Sequence, residues 1–433
     1  MNSENKSISV DPLLFIHPNS IIEFINENSI KIEAWFRQQW KTYPAPLYGS
    51  VDIRNAGFKL APVDNNLFPG GFNNLNLNNM PLYVQAMQAA IAEICPQATR
   101  LLLIPETHTR NLFYLENVAI IRDILLHAGF EVKIGSLNPT VSQSQNYKLP
   151  SEKELLIEPL IVKNNLVGVD NFFPCVIILN NDLSAGIPSF LKESKQLVLP
   201  AIELGWTNRL KSKHFRYYQE FCLSFAQMLS IDPWLVMPYF DQCSEVNFKL
   251  QTGEECLINT AEQLMTKIKL KYKEYGISHQ PFLVVKADQG TYGMAVMMVD
   301  QPDQLQHLNR KERTKMSFIK GGKEVTRVII QEGVHTFETV GKEQAVAEPV
   351  LYLIGRHVIG GFYRVHKERG PKENLNSPGM NFEPLAIDKP CHFAKAGSED
   401  HCFYAYGVIA RLAQLAAAKE LKALSLDEIR SCS

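Results

Sequence analysis

The sequence lacks the short signatures that mark most enzyme chemistries. No G-x-x-x-x-G-K-[ST] loop is present, so phosphate is not held by a P-loop, and no G-x-G-x-x-G follows a strand, which removes the usual dinucleotide site. The absence of H-E-x-x-H and G-x-S-x-G excludes the common zinc-protease helix and the nucleophile elbow. Cysteines 95, 175, 222, 243, 256, 391, 402 and 432 form no C-x-x-C pair and no regular spacing, so we expect isolated, mostly reduced thiols and no zinc site. Charge of one sign is also missing. With 44 basic and 45 acidic residues interspersed, the chain offers no stripe for a nucleic-acid backbone and no polybasic lipid-binding segment. No window approaches the roughly 18 uncharged apolar residues of a membrane span. The opening MNSENKSISVDPLLF has no cationic start followed by an apolar run. The expectation is a cytoplasmic protein without nucleic-acid or membrane partners, with homo-oligomerisation left open.

What is present suits a folded enzyme. The chain has 433 residues, 45% hydrophobic and 21% charged, enough for a large core and more than one domain. Residues 20–40 place apolar side chains every three to four positions after a polar start, which predicts an amphipathic helix. Residues 48–75, YGSVDIRNAGFKLAPVDNNLFPGGFNNL, are dense in Asn, Gly, Asp and Pro and read as a long functional loop. A short apolar run at 101–104, a helix over 112–128 and a second strand, FEVKIG, form a strand–helix–strand unit and imply a parallel sheet. VIIL at 176–179 and QLVLP at 196–200 extend it, and ligands of such sheets gather at the C-terminal strand ends. GWTNRLKSKHF, 205–215, marks the expected boundary between an N-terminal α/β domain, 1–204, and a second domain, 205–433. The second domain contains helices over 217–229 and 261–275, several short strands with glycine turns that imply an antiparallel sheet, and a closing helix over 403–421.

Three stretches carry candidate chemistry. In FLVVKADQGTYGMAV, Lys286 ends an apolar strand and Gly290 and Gly293 free the following loop to turn its N–H groups toward an anion. The same pattern also describes a plain hairpin with a solvated lysine. RVIIQEGV ends a strand in Gln331, Glu332, Gly333 and Val334, polar backbone beside apolar surface, suited to a purine ring or equally to an edge strand leaving its sheet. GGFYRVHKERGPKENLNSPG aims Arg364 inward and puts Asn374 and Asn376 on a turn. Arginine suits a transferring phosphoryl group and amide oxygens suit Mg²⁺, while a surface ion pair and self-capping asparagines would look the same.

Taken in order, these stretches resemble the ATP-grasp fold, and WTNRLKSKHFRYYQEFC resembles the lysine-bearing entry of that fold in bacterial glutathione synthetases. More specifically, the 46–75 run together with VVKADQGTYGMAV, QEGVHTFETV, AEPVLYLIGRHVIGGFYRV and KENLNSPGMNFEPLA resembles the proteobacterial family of glutamate-cysteine ligases, over roughly residues 45 to 420. The resemblance implies an α/β (α+β) protein, an open α/β pre-ATP-grasp domain followed by an ATP-grasp domain with an antiparallel sheet. It implies ATP- and Mg²⁺-dependent joining of L-glutamate, through its γ-carboxyl, to the amine of L-cysteine by way of an acyl phosphate. No protein nucleophile is needed, so positioning and charge neutralisation dominate.

Carried onto this chain, Lys286 holds phosphates and Gln289, Gly290, Thr291, Tyr292 and Gly293 form a lid. Lys213, or alternatively Lys211, is the earlier lysine. Gln331, Glu332 and Val334 bracket adenine, with Glu332 or Glu338 near the ribose, and Arg364 faces the acyl phosphate. Glu348, Asn374 and Asn376 are the metal candidates, although the acidic E-x-N pattern usual near the end of such folds is missing. For the amino acids we expect Arg54 on a carboxylate, with Asp52, Asn55, Asp64 and Asn66 receiving ammonium or amide groups; a structural arginine pinning the loop is the competing reading. Two alternatives remain open: an ADP-forming ligase of the same fold with another amino-acid pair, and a nucleotide-binding regulator without turnover.

Overall fold

A computed structural model describes residues 20–107, 111–290, 293–319, 322–385 and 402–431. Three sheets organise it. The first runs, in order, Asn381–Pro384, His357–His366, Ala345–Ile354, Tyr48–Asn55 and Leu60–Asn66, with Thr339–Val340 added on Ala345–Ile354, and every pairing is antiparallel. Its middle joins distant parts of the chain, since Asp52 faces Val350 across neighbouring strands, and Glu348 faces Arg364 on the next pair. Strands from both sides of the 204/205 division therefore share one sheet.

The 48–75 stretch is thus not one loop. Its singly spaced apolar residues are a strand's period of two, with Val51 and Ile53 fully buried. The turn between its strands uses Gly57 at φ 76°, and the Asn55 side-chain oxygen accepts from the Gly57 N–H at 2.9 Å. Dense Asn and Gly masked that periodicity. Residues 67–79 do form the irregular part, closed by two short 3₁₀ turns.

The second sheet is the expected one: Leu197–Leu199, Val176–Asn180, Arg100–Pro105 and Glu131–Ser136 are mutually parallel, and Glu154–Pro159 and Gln145–Lys148 complete the edge. Leu101 to Ile104 and Val176 to Leu179 are all fully buried, the continuous apolar run of a strand covered on both faces. The third sheet is antiparallel, in the order Phe240–Ser244, Arg327–Glu332, Leu283–Ala287, Val296–Val299.

The helix Cys402–Ser431 locks these layers together. It packs on the helix Lys211–Leu229 and on strands of the first sheet. Val408, Ile409, Leu412, Leu415 and Ala416 are all fully buried, so the helix is apolar on several faces because protein surrounds it. Each Leu or Ile buried this way contributes about 1.5–3 kcal/mol relative to exposure. Among the described residues no helix is long and apolar enough to cross a membrane. Among the described cysteines, Cys95, Cys175, Cys222, Cys243 and Cys256 are free and Cys402 is disulfide-bonded, so the thiols are mostly but not all reduced.

Candidate active site

A cleft of about 740 Å³, measured out to its mouth, lies between the first and third sheets, and four cationic side chains line it: Arg54, Lys211, Lys286 and Arg364. Lys286 enters from the strand Leu283–Ala287 and donates to the Val63 carbonyl at 2.8 Å and to the Gln331 amide oxygen at 2.9 Å. Burial lowers its ammonium to about 8, although Asp64 pulls the other way. Lys211 opens the helix Lys211–Leu229 and donates to Asp64 at 2.7 Å, with its ammonium 4.2 Å from the Trp206 ring centre. Burial would raise the Asp64 carboxyl, but Lys211 and Lys286 outweigh it and hold the carboxyl down.

Lys213 is not among the cleft-lining residues. Two positions along a helix turn a side chain by about 200°, so Lys211 and Lys213 cannot both face the cleft, and Lys211 is the one that does. What orients this helix start was not foreseen. Leu210 at the N-cap supplies no side-chain bond, and instead Asp288, fully buried, accepts from the Ser212 N–H and hydroxyl at 2.7 Å each. Asp288 stands two residues after Lys286, so one strand end positions both lysines.

The glycine loop follows directly. Gly290 and Gly293 have φ of +103° and +65° and both line the cleft. A Cβ on Gly293 would come within 3.1 Å of the Asn374 amide nitrogen and 3.3 Å of the Asn376 carbonyl, so the two loops touch. The Gln289 side chain donates to the Thr207 carbonyl at 3.0 Å and does not line the cleft. Thr291 and Tyr292 lie outside the described residues.

At the cleft's other end Gln331, Glu332 and Val334 all contribute wall. The alternation of the strand Arg327–Glu332 sends only Gln331's side chain to the Lys286 face. The Glu332 carboxylate points into the core, where it accepts from Lys59 at 2.8 Å, from the Trp234 indole at 3.0 Å and from the Tyr239 N–H at 2.9 Å. A ribose role for it is therefore corrected: the group is consumed by a buried ion pair. Glu338 is likewise buried, accepting from Asn55 at 2.8 Å and from the Tyr406 hydroxyl, and is absent from the cleft wall.

Across the first sheet, acid and base alternate. Glu348 receives Arg54 at 3.0 Å on one oxygen and Arg364 at 2.6 Å on the other, and Arg364 also reaches Asp52 at 2.8 Å. Burial would raise the Glu348 carboxyl, but Arg54 and Arg364 keep it low; burial raises Asp52 despite Arg364. Arg54 spends its remaining donors on backbone, the carbonyls of Val334, Pro371, Lys372 and Glu373 at 3.1, 3.2, 3.3 and 2.5 Å. It therefore pins the 371–373 turn instead of waiting for a substrate carboxylate. Asn55 is also corrected: next to Arg54 on the strand, it faces the opposite side and is fully buried.

Mg²⁺ takes hard oxygen ligands and commonly keeps substrate phosphates and water in its shell. Of the predicted ligands, Glu348 is held by two arginines, and the Asn374 oxygen already accepts from the Asn376 N–H at 3.0 Å. Among the described residues no group of three or more His, Cys, Asp or Glu side chains converges as a cation site. These residues do not form a ready protein cage for the metal.

The cleft opens into a second chamber of about 1820 Å³, and Asp52, Asp64, Gly293, Arg364 and Asn376 line both spaces. The chamber reaches the C-terminal ends of the parallel strands, where Glu106, Asn180 and Asp182 contribute its wall. Asn66 lines it as well, its side-chain oxygen closing a turn onto the Phe68 N–H at 3.0 Å. Among the described residues the chamber's charged lining is Asp52, Asp64, Glu106 and Asp182 with Arg364, whereas in the cleft Asp52, Asp64, Glu332 and Glu348 balance the four cations. Glu106 and Asp182 were not singled out beforehand; their signal was polar sequence, PETH and NND, directly after an apolar strand.

A cleft that carries four cationic side chains, each beside or near a carboxylate, and opens into a chamber with more acid in its described lining can take a polyanion beside small amino compounds. Comparison with known proteins sharpens this. The family model described as Glutamate-cysteine ligase matches residues 23–421. A crystal structure from Methylobacillus flagellatus, provisionally assigned as gamma-glutamylcysteine synthetase, is 49% identical, covers 98% of this chain and 99% of its own, and superposes with a TM-score of 0.86. D-alanyl-alanine synthetase A from Vibrio cholerae is 12% identical with a TM-score of 0.35, covering 73% of this chain and 81% of its own. A glutathione synthetase-like effector from Globodera pallida is 9% identical with a TM-score of 0.33, covering 84% and 83%. These last two are too distant in shape to carry an argument. Among curated proteins no match is found. The class defined is an ADP-forming ligase, an enzyme that joins two small molecules at the expense of a nucleotide. Within that class, the chain belongs to the glutamate-cysteine ligase family.

Proposed function

We propose that the cleft lined by Lys211 and Lys286 binds ATP in the ATP-grasp manner and that the adjoining chamber binds L-glutamate and L-cysteine, giving γ-glutamylcysteine, ADP and phosphate. The observation that carries this assignment of spaces is their shared rim, where Asp52, Asp64 and Arg364 border both. A phosphoryl group on a nucleotide in the cleft and a carboxylate in the chamber would meet at that rim. Lys286 and Lys211 neutralise the phosphates, Gly290 and Gly293 border them, and Gln331 with the backbone to Val334 receives the base. The γ-carboxylate of glutamate attacks the terminal phosphorus and releases ADP; the cysteine amine then attacks the acyl carbon and expels phosphate. Arg364, kept cationic by Asp52 and Glu348 against the cost of burial, offsets charge on the transferring group. Glu106 and Asp182, with the rim aspartates, suit the substrates' ammonium groups. A divalent cation carried by the nucleotide phosphates would supply charge neutralisation there, with Asn374 and Asn376 as candidate oxygen donors from this chain. The setting is cytoplasmic, with small molecules as partners.

ADP release measured across amino-acid pairs tests the reading. Turnover should require both glutamate and cysteine and should fall by at least two orders of magnitude in Lys286→Ala. Equal turnover with another pair would reassign the substrates, and a Lys286→Ala enzyme near wild type would remove the phosphate role.

A further inference from the structure

Cys243 and Cys256 lie outside the cleft and have no part in the reaction. Cys243 is on the strand Phe240–Ser244 and 2% exposed; Cys256 is the third residue of the helix Glu254–Glu274 and exposed. Their sulfurs are 3.0 Å apart, and the Cys243 thiol also donates to the Thr260 hydroxyl at 3.5 Å.

The intervening backbone holds the pair in place. Asn247 and Thr252 exchange backbone hydrogen bonds of 3.0 and 3.2 Å, closing a tight turn between strand and helix. Gly253 follows at φ +79°, where a Cβ would meet the Glu245 carbonyl at 2.8 Å, so the helix begins hard against the strand end. Side chains that already face one another across a fixed turn need little backbone movement to bond.

We propose that Cys243 and Cys256 form a reversible dithiol–disulfide site for low-molecular-weight disulfides, with Cys256 the attacking thiol and Cys243 the resolving one. In the first step the Cys256 thiolate attacks one sulfur of RSSR, forming Cys256–S–S–R and releasing RS⁻, which takes up a proton. In the second, Cys243 gives its proton to solvent base and attacks the Cys256 sulfur, forming the Cys243–Cys256 bond and releasing the second RS⁻. Two protein thiols are oxidised and one external disulfide is reduced to two thiols. The order follows from access: only Cys256 is open to a reagent. Burial also pushes the Cys243 thiol up to about 12, which makes it a slow second partner. In the oxidised form the helix is tied to the edge strand of the third sheet, whose Phe240 pairs with Gln331 of the cleft wall.

The test treats the full chain with 2-hydroxyethyl disulfide, a neutral probe suited to the neighbouring Glu254 and Glu255, then alkylates, digests and maps peptides by mass. Exposed Cys175 reports in the same digest that the reagent reacted. In wild type the mixed disulfide on Cys256 should appear first and give way to a Cys243–Cys256 cross-linked peptide that dithiothreitol reverses. Cys256→Ser should abolish the cross-link and leave Cys243 unmodified. Cys243→Ser should stop at the mixed disulfide on Cys256; should that variant fail to fold, the time order in wild type carries the same information. Recovery of both residues as free thiols after Cys175 has reacted overturns the proposal, as does a wild-type reaction that ends at the mixed disulfide. Neither result bears on the ligase reading.

Discussion

Nucleotide affinity should depend on pH through Lys286. Burial lowers its ammonium to about 8, against an ordinary value of 10.5. If the charged form receives the phosphates, affinity is complete below about pH 8 and is lost as pH rises through it. Half the protein carries the proton at pH 8, and each further unit weakens binding about tenfold, so the apparent Kd at pH 9.5 should exceed that at 7.5 by roughly 25-fold, about 1.9 kcal/mol. Stability of the free protein should move the other way. Between about pH 8 and 10.5 the unfolded chain binds the Lys286 proton and the folded chain does not, so unfolding free energy rises with pH across that window. Lys59, also lowered to about 8 by burial, adds the same slope to stability but is not among the residues lining the cleft, so the binding measurement isolates Lys286. Calorimetric titration with ATP-Mg²⁺ in two buffers of different ionisation enthalpy reads both affinity and proton uptake. Lys286→Met should bind more weakly and with a flat pH profile. A wild-type affinity constant within twofold from pH 7.5 to 9.5, or a slope that survives in Lys286→Met, refutes the reasoning.

Gly293→Ala should impair the nucleotide loop, because it combines a left-handed backbone with a methyl 3.1 Å from the Asn374 side chain. We expect KM for ATP to rise while the global unfolding midpoint falls by only about 1 kcal/mol equivalent; steady-state kinetics beside a urea melt separates the two. Glu420→Gln should destabilise by about 3–5 kcal/mol. The carboxylate binds Arg209 at 2.9 Å and His214 at 2.6 Å in a site where all three are buried. Burial would raise this carboxyl, but Arg209 and His214 bring it down to about 2, so its stabilisation is full above about pH 4.5 and is lost as pH falls toward 2. Acid unfolding of the variant should lack that component.

How much could be read from the chain beforehand followed parity and distance. The parallel strands, the Lys286 strand, the glycine loop and the inward Arg364 were legible because each is a local pattern of apolar runs and turn residues. Errors fell where a side chain's face depends on a one-residue choice. Gln331 and Glu332 are neighbours, yet one meets Lys286 and the other Lys59 and Trp234. Asn55 and Arg54 divide in the same way, as do Lys211 and Lys213 on their helix. Periodicity says that such residues alternate; it does not say which side is the cleft. Arg54 misled for a different reason. Its carbonyl partners at 334 and 371–373 come from segments about 280 to 319 positions away, which no local pattern encodes.

The first sheet has a consequence for any attempt to divide the gene. Cutting at 204/205 would leave Asp52, Asp64 and their two strands in one fragment and Glu348, Arg364 and Lys286 in the other. Neither piece would hold a cleft, and each would expose a raw strand edge where Tyr48–Asn55 had met Ala345–Ile354. Those edges are complementary in register, so the seam that builds the cleft is also the one a division at 204/205 would break.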